Sequence, residues 1–314
     1  MRVLTLDEIR EAVPSINLSD EIEKGFVAYS RGKSVVPPVG ELVLQDPPGD
    51  VHIKYGYLEG DDYYVIKIAS GFYENPQLGL PSSNGMMLLF SQKTGQPEAV
   101  LLDEGYLTDV RTAVAGAIAA KYLAPSPVSR IGIVGTGMQA RLQLEYLLPV
   151  TTCRDVLVWG RDQGKLDTYA AEMARLGFVV ATTTKAADIE KSCNLIVTTT
   201  PATSPILSGR LLPGSHVTAM GSDTHDKQEL DASILRDANL VIADSISQCL
   251  ERGEICQALK CNAITESDIV ELGSIIAGDA EGRTSDEQIT IADLTGVAVQ
   301  DIQISKAVFE ATAR

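Results

Sequence analysis

The sequence is short of the residues that build metal centres and disulfide frameworks. It holds only three histidines, His52, His216 and His225, far apart in the chain, which gives no ligand spacing for a metal site. Its five cysteines, Cys153, Cys193, Cys249, Cys256 and Cys261, are odd in number and contain no CxxC pair, so they are read as reduced thiols. No apolar run reaches the roughly 18 to 20 residues that cross a bilayer, and the opening MRVLTLDEIREAV interleaves charge with apolar residues instead of forming a signal peptide. A cytoplasmic location is the resulting expectation. Basic residues are outnumbered as well, and the formal charge of −16 argues against nucleic acid and anionic membranes as partners.

What is present is a large apolar fraction, 45% of 314 residues, enough for two domains. The first 30 residues read as helix broken near Pro14, with Ser15 or Ser19 available as a cap. From Val35 to Phe90 short apolar stretches (VHIKYGYL, YYVIKIAS, MMLLF) alternate with turn-rich separators (PPVG, DPPGD, EGDD, ENPQLGLPSSNG, KTGQP), the pattern of a meandering sheet. One more strand and a small-residue helix from about Thr108 to Leu123 follow. From Arg130 onward strands alternate with helices, which implies a parallel, doubly wound sheet. The expected division is an α+β domain over 1–120 and a Rossmann-type dinucleotide domain over 121–296, with a final helix in 297–314 returning to the first domain.

Directly after the strand Ile131 to Val134, Gly135-Thr136-Gly137-Met138-Gln139-Ala140 fits GxGxxA and opens a helix. The first glycine permits the turn, the second lets the backbone approach a pyrophosphate, and the alanine allows close helix packing, while the helix N-terminus offers N–H groups. Where an NAD enzyme places an acid after its second strand, this chain reads Gly160-Arg161-Asp162, with Lys165 one turn on. A guanidinium there suits a 2′-phosphate, so NADP(H) is favoured; Asp162 keeps NAD(H) open, and a solvated loop is the plain alternative for Arg161.

Three further charges stand in apolar or small-residue surroundings. Lys67 interrupts YYVIKIAS, where an unpaired ammonium would be costly. Arg111 opens the helix TDVRTAVAGA, and Asp223 follows the strand HVTAMGS at a carboxyl edge where ligands bind in such sheets. Each has the plain alternative of an internal ion pair or a surface charge. Together they form an amino-acid pattern, with two cations for a carboxylate and one acid for a nitrogen.

The segments IKIASGFYENPQLGLPSSNGMMLLF, LLDEGYLTDVRTAVAGAIAAKYLAP, IGIVGTGMQARLQLEYL, VTTTPATSPIL, HVTAMGSDTHDKQELD and DLTGVAVQDI follow one another as in the ornithine cyclodeaminase/mu-crystallin family, which the chain resembles from about Val35 onward. The resemblance implies a homodimer, a nicotinamide cofactor in the second domain and an active site between the domains. It implies carboxylate binding by Lys67 and Arg111, acid–base work by Asp223, cofactor contact at Thr199, and approach of Gly296, Val297 and Ala298 to the nicotinamide end. Two departures bear on the substrate. An arginine carried by many members after the first prolines is replaced in Val36-Pro37-Pro38-Val39-Gly40. Lys54 stands about where ornithine-specific members place an acid for the distal amine, although it also reads as a surface strand residue. His225 and Asp226 stand where cyclodeaminases tend to show proline and glycine.

The expected activity is therefore NAD(P)H-dependent reduction of a cyclic imino acid, most simply Δ1-pyrroline-2-carboxylate to L-proline. The texture also resembles the subgroup of pyrroline-2-carboxylate reductases and ectoine-utilisation proteins. Ornithine cyclodeamination, another amino-acid dehydrogenation and a non-catalytic ligand-binding role are the alternatives.

Overall fold

The computed structural model describes residues 1–72 and 74–312; Tyr73 of FYENPQLGLPSSNG and the last two residues of the expected C-terminal helix lie outside them. The chain runs through β1 (Arg2–Leu4), α1 (Leu6–Ala12), α2 (Leu18–Ser30), β2 (Ser34–Val35), β3 (Gly40–Gln45), β4 (Pro48–Leu58), β5 (Tyr63–Gly71), β6 (Ser83–Ser91), β7 (Pro97–Leu101) and α3 (Tyr106–Leu123). It continues through β8 (Ile131–Val134), α4 (Met138–Tyr146), β9 (Asp155–Trp159), α5 (Gln163–Ala174), β10 (Val179–Thr183), α6 (Ala186–Ser192), β11 (Leu195–Thr198), β12 (Thr203–Leu207), β13 (His216–Ala219) and β14 (Gln228–Leu230). The remainder is α7 (Ala232–Arg236), β15 (Leu240–Ala243), α8 (Ile246–Cys249), α9 (Gly253–Lys260), β16 (Ile269–Glu271), α10 (Leu272–Ala277), β17 (Thr290–Asp293) and α11 (Ala298–Thr312). Two compact units result: Met1–Thr112 with the chain from Val297 on, and Ala113–Gly296.

The first unit is α+β. Its sheet has the order β1-β7-β6-β5-β4-β2, with β3 also paired to β4. From β4 to β7 each strand pairs antiparallel with the next, while β1 joins β7 in parallel. Alternation places Val65 and Lys67 of β5, Met87 and Leu89 of β6, and Lys54 and Leu58 of β4 in the interior. α11 packs against β4, β5 and β6 and against α1 and α2. Every residue from Ala298 to Ser305 is buried, the mark of a helix enclosed on all sides.

The N-terminal segment shows why a serine does not cap α2. Pro14 lies in a 3-10 turn, Val13–Ser15, and the cap is Asn17, whose side chain accepts from Asp20 N. Ser15 Oγ donates instead to Ala12 O at 2.7 Å and Ser19 Oγ to Glu23 at 3.2 Å, so neither hydroxyl is at the helix entry.

The second unit is a doubly wound α/β domain of Rossmann type. Its parallel sheet has the order β10-β9-β8-β11-β13-β17-β15-β16. β8, β11, β13 and β17 are buried along their whole length, as strands covered on both faces must be. Strand order reverses between β8 and β11, which makes their carboxyl ends the switch point where such sheets bind ligands. β12 and β14 form a separate two-stranded parallel pair. His216, fully buried in β13, bonds Thr290 and Thr218 through its two ring nitrogens, and burial with the nearby Arg283 charge pushes its pKa down to about 3. It is a neutral core histidine.

Candidate active site

A cavity of about 940 Å3 opens at the switch point of the second unit. One wall is the loop between β8 and α4. Gly135 adopts φ +121°, and a Cβ there would lie 2.6 Å from Thr199 Oγ1, so a side chain is excluded both by conformation and by space. Gly137, the N-cap of α4, has nothing within 4 Å of its missing Cβ. The open space and the helix N-terminus fit a pyrophosphate. Gly135 N donates to Trp159 O at 3.0 Å, and Thr199 donates to Val134 O through both its N–H (3.0 Å) and its hydroxyl (3.1 Å), fixing the loop to both neighbouring strands.

Met138, Gln139 and Ala140 continue the motif into α4 without joining the residues that line the cavity. Ala140 is fully buried and its carbonyl accepts from Tyr169 Oη at 2.9 Å, while Met138 is 60% exposed. Arg141, not singled out from the sequence, also lines the cavity. Its Nη1 donates to the carbonyls of Thr136 and Gly137, and its Nε to Glu172 at 2.5 Å. The guanidinium thus holds the glycine loop from the inside of the helix.

The opposite wall carries Arg161, Lys165 and Thr168. Arg161 and Lys165 are exposed, and the first residues after β9 are Gly160 and Arg161, with Asp162 following them and also lining the cavity. Asp162 is the N-cap of α5: its Oδ1 accepts from Lys165 N at 2.8 Å, which commits that oxygen to the helix.

Beyond β13, Asp223 pairs with Lys227 at 2.6 Å. Its side chain is 41% exposed, and its carbonyl lies 3.5 Å from Arg252 Nη1. Gly296, with φ +84°, donates to Asp244 Oδ2 at 2.7 Å, and this bond sets the entry to Val297, which is fully buried just ahead of α11.

In the first unit, Lys54, Lys67 and Arg111 converge on one carboxylate. Lys54 and Lys67 are directly opposite in the β4–β5 ladder, a like-charge pair that needs an anion between its members. Asp301 of α11 supplies it. Lys67 Nζ is 3.4 Å from Asp301 Oδ2 and Arg111 Nε 3.0 Å from Oδ1, while Arg111 Nη1 donates to Gln300 Oε1 at 3.0 Å. Burial acts to raise the Asp301 pKa, but the charges of Arg111, Lys67 and Lys54 outweigh it and leave it lowered. Burial lowers the Lys67 pKa to about 8, with Asp301 opposing the fall and Arg111 adding to it. Arg111 Nε is buried and faces Asp301 as an ion pair, not as an aligned hydrogen bond. Lys54 is 7% exposed and is an interior residue, which removes the surface-strand alternative.

The ornithine cyclodeaminase/mu-crystallin family model matches residues 1–314. The chain belongs to that family. An uncharacterized cyclodeaminase of Sinorhizobium fredii is 42% identical over 99% of this chain and 95% of its own length. Among solved structures, an archaeal alanine dehydrogenase dimer with bound NAD superposes with a TM-score of 0.90 at 33% identity, covering 99% of this chain and 95% of that one. The Δ1-pyrroline-2-carboxylate reductase of Thermococcus litoralis, in complex with NADH and L-proline, gives a TM-score of 0.93 at 29% identity, covering 100% and 98%.

Proposed function

We propose that the protein is an NAD(P)H-dependent reductase of a cyclic imino acid, with Δ1-pyrroline-2-carboxylate as substrate and L-proline as product. Membership of this family makes it a nicotinamide-dependent enzyme acting on C=N or CH–NH bonds. The observation that carries the finer reading is the buried Lys54–Lys67 pair opposite one another on β4 and β5. Three cations beside the carboxylate of Asp301, with buried Asp103 adding only a smaller effect on Lys67, suit a substrate that brings a carboxylate and no second ammonium. A diamine such as ornithine would add a positive charge beside Lys54.

In this reading Lys67, Arg111 and Lys54 bind and orient the substrate carboxylate. Gly135, Thr136, Gly137, Arg161, Lys165 and Thr199 hold the dinucleotide, with Met138, Gln139 and Ala140 shaping the helix behind it and Val297 contributing at the nicotinamide end. The dinucleotide supplies the hydride when bound. Asp223 delivers the proton to the imine nitrogen, because an iminium accepts hydride more readily than a neutral imine; without substrate its carboxylate is ion-paired with Lys227 at 2.6 Å, and proton delivery requires that pair to open. Arg161 and Lys165, beyond the end of β9, favour NADPH over NADH, although the related structures hold NAD or NADH. The working form is a homodimer.

Replacing Asp223 by Asn tests the proton role. Turnover falls by about a hundredfold or more, the scale of a lost general acid, while dinucleotide affinity stays near that of the parent. Unchanged turnover removes Asp223 from the mechanism.

A further inference from the structure

The loops after β11 and β13 are joined by a buried acid that is not among the residues lining the cavity of about 940 Å3. Glu229, in β14, is fully buried. Its Oε2 accepts from Thr198 Oγ1 at 2.7 Å and from Gly221 N at 2.9 Å, and its Oε1 accepts from Thr200 N at 2.6 Å. Thr198 ends β11, Thr200 lines the cavity, and Gly221 leads through Ser222 to Asp223. A second buried acid, Glu254 of α9, holds the first in place by accepting from Glu229 N at 2.7 Å and Leu230 N at 3.0 Å.

We propose that Glu229 is a positioning residue that locks the loop carrying Thr199 and Thr200 to the loop carrying Asp223, so that one carboxylate sets both the dinucleotide cavity and the proton-holding segment. This rests on the reading of that cavity as the dinucleotide site, and does not depend on which imine is reduced. The closeness of the two loops supports it. A Cβ on Gly221 would collide with Glu229 Oε2 and with the backbone of Thr200, so glycine is required where the loops meet. The bonds from Thr198, Thr200 and Gly221 all run into the Glu229 carboxylate. The site therefore needs an acceptor at both oxygens, although burial pushes the Glu229 pKa up to about 7.

Those bonds make Glu229→Gln an informative change. The amide nitrogen cannot accept a hydrogen bond. Whichever way the amide turns, it faces a backbone N–H, either of Thr200 or of Gly221, and one loop is released. Thr198→Val is milder, since it removes only the hydroxyl arm.

The experiment measures NADH and NADPH affinity on the full chain through the fluorescence of Trp159, the single tryptophan, which lines the cavity. Folding is checked by circular dichroism and thermal melting. Glu229→Gln weakens dinucleotide binding by about tenfold or more, the scale of a hydrogen bond to a charged group, and Thr198→Val weakens it by about threefold. A melting point that falls while the affinity of the folded protein stays at the parental value overturns the proposal, because a purely structural role predicts that result. Should Glu229→Gln not fold, Thr198→Val decides, and parental affinity in it overturns the proposal. Gly137→Val separates the two readings: it abolishes binding if the cavity is the dinucleotide site, whatever Glu229 does. Parental affinity in Gly137→Val overturns the cavity reading and the proposal with it.

Discussion

Asp301 Oδ1 lies 3.0 Å from Arg111 Nε, and both side chains are almost entirely buried. The two residues are far apart in the chain, and their pairing ties α11 to the start of α3. With Lys67 paired to its other oxygen and the charge of Lys54 acting on the same carboxylate, Asp301 is the counter-charge of this buried cationic cluster, which the proposed function reads as the receptor for a substrate carboxylate.

Replacing Asp301 by Asn leaves those cations buried without their anion. The expected cost is about 3–5 kcal/mol of stability, the range for breaking one side of a buried ion pair, read as a shift in the urea midpoint. Substrate carboxylate partly restores the loss by taking the place of the missing anion. A variant as stable as the parent would show that the cluster does not carry the charge assigned to it.

Lys67 gives the substrate affinity a pH dependence. Its pKa is lowered by burial to about 8, from an ordinary 10.5, and only the protonated form attracts a carboxylate. Affinity for the imino acid is level below about pH 8. Above it, binding must take up a proton, and affinity falls by up to about tenfold per pH unit until pH reaches the pKa of Lys67 in the complex. The measurement is KM for the imino acid against pH at saturating dinucleotide. Lys67→Met removes the break, and a parental profile that stays flat from pH 8 to 10 contradicts the assignment.

Much of this arrangement is visible in the sequence wherever a requirement is local. The glycines at 135 and 137 announce a turn and an open backbone before a helix, and their neighbours in the chain suffice to read it. Lys67 and Arg111 stand out because a charge in an apolar strand or a small-residue helix needs a reason. Asp301 gave less away, since its reason lies in the cations of β4, β5 and α3. The signal available was an acid early in a segment, VAVQDIQIS, otherwise suited to a core. Glu229 is harder still. QELD reads as an ordinary polar turn, and only the tertiary meeting of the loops after β11 and β13 gives its carboxylate backbone donors. Elements of three residues such as β1, β14 and β16 carry too little periodicity to be read, and exist because a longer strand beside them offers pairing.

Arg161 decides between the two cofactors in this account. Changing it to Ser lowers NADPH affinity by about tenfold or more, the scale of a charge-assisted hydrogen bond, and leaves NADH affinity nearly unchanged. Direct titration of both dinucleotides against the two proteins checks this. Equal losses for both, or a parent that prefers NADH, would return Arg161 to the status of a solvated loop residue.

The central claim is net reduction of a cyclic imine, and absorbance at the nicotinamide band tests it most directly. NADPH or NADH is mixed with Δ1-pyrroline-2-carboxylate and enzyme, beside an ammonia assay with ornithine and NAD. The account predicts rapid dinucleotide oxidation with stoichiometric proline and no ammonia from ornithine. Ammonia and proline from ornithine, with no net change in dinucleotide absorbance and no oxidation by the imine, would contradict it and make the chain a cyclodeaminase.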